Sequence, residues 1–221
     1  MLRTHNVNLM TSLIPTTVTS KATSAVLPVV ETFHSVQGEG VWTGTNAFFI
    51  RLAGCDVGCP WCDTKHSWNA RRHPQRLTAD LIAEAKAVNP AIVVITGGEP
   101  LMYDLFSLSN GLRAAGLRVH LETSGAHPFS GNFDWVTFSP KRSKPPHNSI
   151  YPQVSELKVV VTNPSDLSWA EDHAAQIPTD VVKLLQPEWG TPDSYSLIFE
   201  YVLSHPEWRI SLQTHKFTNI R

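Results

Sequence analysis

Residues 47–62 read AFFIRLAGCDVGCPWC, and the fold turns on how they are read. AFFIRL (47–52) is a short apolar run of the kind buried on both faces of a parallel sheet. It gives way at Gly54 to a loop carrying Cys55, Cys59 and Cys62, the three cysteines of this 221-residue chain. In parallel α/β sheets, sites gather just past the carboxyl ends of strands, which is where this loop falls. An odd number of cysteines makes a disulfide framework a poor reading. Three thiols packed this tightly point to metal or cluster chemistry in a reducing, cytoplasmic compartment.

Outward from that stretch, apolar runs alternate with amphipathic ones. AIVVIT (91–96), LRVHLET (117–123), WVTFS (135–139), ELKVVV (156–161), VVKLLQ (181–186) and a last run at 209–212 read as strands. Between them Leu81, Ala85 and Val88 mark a helical face, with Thr78 as N-cap and Pro90 ending the run. Further helices fit 104–115, closed by Gly116, then 166–176 and 192–204. Residues 124–155 offer no helix. The expected fold is α/β: an incomplete (β/α) barrel of about six parallel strands with fewer helices than strands.

The composition fits a globular domain, with 42 % hydrophobic and 9 % aromatic residues. No apolar run reaches the ~18 residues of a membrane span. Lys and Arg number 18 against 19 Asp and Glu, a net charge of −1. That balance argues against nucleic acid as a partner, since backbone-led binding needs a basic excess. A chain of this length buries about 70 % of its unfolded surface, so it needs no metal to fold. Residues 1–28 are Ser- and Thr-rich and hold no acid, and they read as a disordered or over-long leader, with Met10 as an alternative start. An organellar transit peptide would want more arginine than Arg3 alone, and no compact apolar core marks a secretory signal. Residues 29–221 then form a single domain.

Three thiolates on one loop can hold three irons of a [4Fe–4S] cluster and leave the fourth open to a ligand. Zinc competes within the loop, because His66 would complete a Cys3His site.

Beyond the loop, TGGEP (96–100) closes the next strong strand. The spacing Cys-x3-Cys-x2-Cys followed by GGEP resembles the radical S-adenosylmethionine superfamily, whose GGEP segment holds the methionyl amine. FHSVQGEGVWTG (33–44), FIRLAGC (49–55), WCDTKHSW (61–68), ITGGEP (95–100), ETSG (122–125), SPK (139–141) and QTHK (213–216) appear in this order along the chain. Together they resemble the 7-carboxy-7-deazaguanine synthases, over about residues 30–221. Residues 142–155 match least.

That resemblance implies that Cys55, Cys59 and Cys62 hold the cluster and Thr64 ligates magnesium, a hard ion that keeps much of its water. It places Trp61, Asp63, Gly98, Ser139, Pro140, Lys141, Gln186, Pro187, Glu188 and Trp189 at adenosylmethionine. Val36, Gln37, Gly38, Arg51, Thr96 and the terminal Arg221 would meet substrate. Arg51 suits a carboxylate taken in two bonds, and its plain alternative is an ion pair. Glu39 would read the guanidine-like edge of a pterin or cap its loop, and His215 and Lys216 carry no assigned role. The implied reaction contracts the ring of 6-carboxy-5,6,7,8-tetrahydropterin to 7-carboxy-7-deazaguanine with loss of ammonia. A flavodoxin or ferredoxin would supply the electron, and a homodimer is expected from the resemblance. The rival readings are a glycyl-radical activase, which would lack QGEG and QTHK, and a zinc-binding module without catalysis.

Overall fold

The computed structural model describes residues 25–220. The leader therefore lies almost wholly outside the described residues, as does Arg221. The strand β1 (Val26–Val36) already starts within the span read as leader. It escaped the apolar-run reading because its second half, ETFHSV, mixes polar with apolar residues and its first half carries Pro28. It pairs antiparallel with β2 (Asn46–Leu52) and with the short β3 (Gln75–Leu77).

From β2 onward every neighbour is parallel. The order is β3-β1-β2-β4-β5-β6-β7-β8-β9, with β4 (Ile92–Gly97), β5 (Val119–Thr123), β6 (Trp135–Phe138), β7 (Glu156–Val161), β8 (Val182–Pro187) and β9 (Trp208–Ile210). The sheet curls but stays open, with β3 and β9 at its edges. Helices α1 (Thr78–Val88), α2 (Phe106–Ala114), α3 (Ser165–Ala174), α4 (Asp193–Ser204) and the short α5 (Thr214–Thr218) are fewer than the strands. No α-helix joins β5 to β6 or β6 to β7, so the barrel is incomplete where the sequence lacked a helical pattern.

Helix ends follow local chemistry with one change. Thr78 is the first helical residue of α1 rather than its cap, and its hydroxyl lies 3.4 Å from that of Ser107. Asn89, in the left-handed region at φ 50°, ends α1 ahead of Pro90.

Strand alternation sorts the side chains onto two faces. Phe48, Ile50, Val93, Ile95, Val119, Leu121, Phe138, Leu157 and Val159 form the core beneath the helices. The opposite face closes at its lower end on Phe49, Ile92 and Val94, with Trp42 and Phe33 packed over them. Trp42 meets His120 edge-on at 4.9 Å and Trp135 at 5.6 Å. The ring nitrogens Trp42 Nε1, His120 Nε2 and Trp135 Nε1 are buried without a hydrogen-bond partner. Burial, helped by nearby Arg118, holds the His120 imidazole down at about 4, so it stays neutral. Above this plug the same face turns polar, with Arg51 beside Thr96 and Glu122 beside Thr137 in register.

Candidate active site

That polar face and the loops past the strand ends enclose a cavity of about 300 Å³. The loop after β2 brings Cys55, Cys59 and Cys62 to its wall, each partly exposed. The loop is pinned from below. Gly54 N–H donates to Ser67 O at 2.7 Å and Cys55 N–H to Trp68 O at 3.1 Å, while Cys62 N–H donates to Cys59 O at 3.2 Å. Burial pushes the Cys55 and Cys59 thiols up, and at Cys59 the Lys141 ammonium and the Ser143 side chain act the other way.

The GGEP turn is bolted to the same loop. Gly98 N–H donates to Leu52 O at 2.9 Å and Glu99 N–H to Gly54 O at 2.8 Å. A Cβ on Gly98 would collide with the Gly54 carbonyl, so glycine there permits the close approach. Glu99 is buried and fully engaged. It accepts from the Thr123 hydroxyl, from Leu101 N–H at 3.0 Å, and from Ser124 N–H and Oγ at 2.8 and 2.5 Å. Its carboxylate thus staples β4 to β5, and the turn lines the cavity with Gly97, Gly98 and Glu99.

Most residues singled out from the sequence meet here. Val36, Gln37, Gly38, Arg51, Trp61, Asp63, Thr64, Thr96, Gly98, Ser139, Lys141, Gln186, Pro187, Glu188 and Trp189 all line the cavity. Pro140 does not: it is buried behind Ser139 and Lys141 and shapes their turn. Lys141 Nζ donates to Ser139 O at 2.7 Å and sits 5.5 Å from the Trp61 ring centre. Burial lowers its ammonium to about 8. The Thr64 hydroxyl lies 3.6 Å from Cys62 Sγ, so the cysteine loop fixes where that oxygen points.

Arg51 makes an ion pair and borders the cavity. Its Nε donates to Glu31 Oε1 at 2.9 Å, across the β1–β2 pair, while the side chain still lines the cavity. Burial lowers its pKa, opposed by Glu122, Asp63 and Glu39.

Lys158, Glu122 and His215, which sequence reading left unassigned, complete the polar wall together with Glu39. Lys158 is 4 % exposed and pairs with Glu39. Burial disfavours its charge, but Glu122, Glu39 and Glu156 outweigh that and raise it. Burial likewise pushes Glu39 up, yet Lys158 and the Gln213 amide, donating at 2.8 Å, pull it down to about 2. Each Glu39 oxygen thus accepts one hydrogen bond, from Lys158 and from Gln213, and the residue lines the cavity. Glu122 accepts from Gln37 Nε2 at 2.8 Å, and its second oxygen lies 4.0 Å from Lys158 Nζ. His215 also lines the wall. The signal for Lys158 was present: a lysine inside the apolar run ELKVVV must point to a polar interior or to water.

The radical SAM superfamily model matches residues 49–140, from β2 through the SPK turn. A 7-carboxy-7-deazaguanine synthase from Synechocystis sp. is 53 % identical, over 88 % of this chain and 93 % of the relative. The chain belongs to the 7-carboxy-7-deazaguanine synthase family. The family member from Escherichia coli K12 is 34 % identical over 87 % of this chain and 98 % of its own length. The crystal structure of QueE from Escherichia coli superposes with a TM-score of 0.78 at 33 % identity, covering 86 % of this chain and 95 % of that one. Radical SAM membership implies a [4Fe–4S] cluster and adenosylmethionine. The thiols of this synthase-family chain fit such a cluster better than zinc. A four-iron cluster gives each of the three thiolates its own iron, whereas tetrahedral zinc needs a fourth ligand, and His66 is not among the residues that line the cavity with them. No helix among the described residues is long and apolar enough to cross a membrane.

Proposed function

We propose that this chain converts 6-carboxy-5,6,7,8-tetrahydropterin to 7-carboxy-7-deazaguanine, contracting the ring with loss of ammonia. The observation that carries the reading is that one cavity is lined both by the three thiols and by Arg51, Glu122 and Lys158. A cofactor held by the thiols and a substrate held by the charged side chains then share one cavity of about 300 Å³.

Bound at Cys55, Cys59 and Cys62, the cluster with adenosylmethionine supplies one electron and the carbon radical that takes hydrogen from the substrate. The chain supplies placement. Gly98 and the backbone of the GGEP turn border the methionyl group, while Trp61, Asp63, Ser139, Lys141 and residues 186–189 surround the rest of adenosylmethionine. The terminal nitrogens of Arg51, beside the Nε held by Glu31, receive the substrate carboxylate. Glu122 keeps one oxygen toward the cavity for the amino and N–H groups of the pterin edge, and Gln37 holds that carboxylate in place. The aromatic plug beneath excludes water from that end. Thr64 offers a hydroxyl to magnesium, which would orient the substrate carboxylate. The reading includes a protein one-electron donor such as flavodoxin or ferredoxin, a homodimer, and a cytoplasmic location.

Anaerobic reconstitution tests the cofactor half of this reading. Wild type should be brown and bind about four irons per chain, as one [4Fe–4S] cluster requires. With dithionite it should cleave adenosylmethionine. Cys59→Ala should lose both colour and cleavage. A Cys59→Ala protein with full iron content would overturn the assignment.

A further inference from the structure

Residues 213–217, just after β9, grip the cavity mouth from several sides at once. Gln213 Nε2 donates to Glu39, and the Thr214 amide and hydroxyl donate to Gly38 O at 2.9 and 3.0 Å. His215 packs so closely on Gly38 that a Cβ there would strike its ring. Lys216 Nζ lies 2.8 Å from Asp63 Oδ2 on the cysteine loop and 5.4 Å from the ring centre of Trp189, past β8. Phe217 meets the same Trp189 ring edge-on at 5.0 Å.

A helix as short as α5 does not persist alone, since isolated helices need ~12–15 residues. Its contacts with the cavity mouth hold it there. Most of those contacts join α5 to one wall each. Lys216 joins two: the cysteine loop through an ion pair and the β8–α4 turn through a cation over an aromatic face. An exposed ion pair alone contributes little, but one ammonium shared between a carboxylate and an indole orders both.

We propose that Lys216 is a positioning residue. Its ammonium latches α5 onto Asp63 and Trp189 and sets the spacing of these two loops around adenosylmethionine. The inference rests on the reading of Asp63 and Trp189 as adenosylmethionine contacts.

Hydrogen exchange of the amides at 214–220, in the protein as purified, reads the latch without any turnover. Lys216→Met keeps the stem and removes the charge. It should speed exchange of this segment by roughly tenfold and weaken adenosylmethionine binding to the reconstituted protein by about three- to tenfold. Lys216→Arg keeps both contacts and should stay close to wild type. Adding Asp63→Asn to Lys216→Met should speed exchange at 214–220 little beyond the single variant, because the shared contact is already gone. Unchanged exchange in Lys216→Met, an Arg variant as loose as the Met variant, or fully additive effects would each overturn the latch. Failure of the wild-type protein to bind adenosylmethionine would instead overturn the synthase reading, and would leave the exchange result to judge the latch.

Discussion

Glu99 takes two hydrogen bonds from Ser124, one from its amide at 2.8 Å and one from its hydroxyl at 2.5 Å, so the turn after β4 is tied to the end of β5. Both strand ends carry cavity residues, Thr96 and Gly98 on one side and Glu122 and Thr123 on the other. The Glu99 carboxylate is part of the frame that aligns these ends.

Glu99→Gln should therefore weaken the fold itself. Donors already surround both Glu99 oxygens, and an amide NH2 in place of one leaves a buried donor facing another donor. The loss should be about 1–3 kcal/mol. At ~2–4 °C per kcal/mol for a chain of this size, Tm should fall by about 2–12 °C in calorimetry of the protein without cluster. An unchanged Tm would contradict the staple.

Arg51→Lys should weaken binding of the tetrahydropterin far more than binding of adenosylmethionine. Lysine keeps the charge but cannot hold Glu31 and a substrate carboxylate with one planar fork. The expected loss is about 1.5–3 kcal/mol, or roughly tenfold to a hundredfold in Kd. Equal losses for both ligands would place Arg51 in folding or in the cofactor half.

Magnesium response should run through the Thr64 hydroxyl, which the Cys62 contact aims from the cysteine loop. Thr64→Ser keeps the oxygen and should keep magnesium stimulation. Thr64→Ala removes one ligand from an ion that takes about six, so it should turn over slowly with little response to the metal. Rates against magnesium concentration decide this, and a wild-type midpoint and amplitude in the Ala variant would remove Thr64 from the site.

Much of this architecture was legible because buried parallel strands are written as unbroken apolar runs. AIVVIT, ELKVVV and VVKLLQ lie where β4, β7 and β8 form. The missing helices between β5 and β7 were equally visible as a stretch without 3.6-residue periodicity. β1 was not, because an antiparallel strand with one polar face and a proline carries a weaker pattern. The cysteine loop and GGEP announced themselves through spacing. The roles of Glu39, Lys158 and Lys216 did not, since each depends on a pairing across more than a hundred residues of chain. No local rule encodes the meeting of Lys216 with Asp63.

The aromatic plug should leave a signature in acid. His120 titrates near 4 in the folded chain and near 6.5 unfolded, so below 6.5 the unfolded state binds the extra proton. Stability tied to this group is complete above pH 6.5 and falls as pH drops toward 4. Between pH 7 and 5 the wild type should lose about 1–2 kcal/mol more than His120→Phe, by urea unfolding at both pH values. Identical pH dependence in the two proteins would mean that His120 is not buried neutral.

The central claim is that one cavity holds a radical source and a carboxylated pterin together. Anaerobic incubation of the reconstituted protein with 6-carboxy-5,6,7,8-tetrahydropterin, adenosylmethionine, dithionite and magnesium tests it most directly, with the product read by mass and ammonia measured alongside. The account predicts a product of the mass of 7-carboxy-7-deazaguanine, one ammonia released for each, and neither from Cys59→Ala. Cleavage of adenosylmethionine with the tetrahydropterin left unchanged would contradict it.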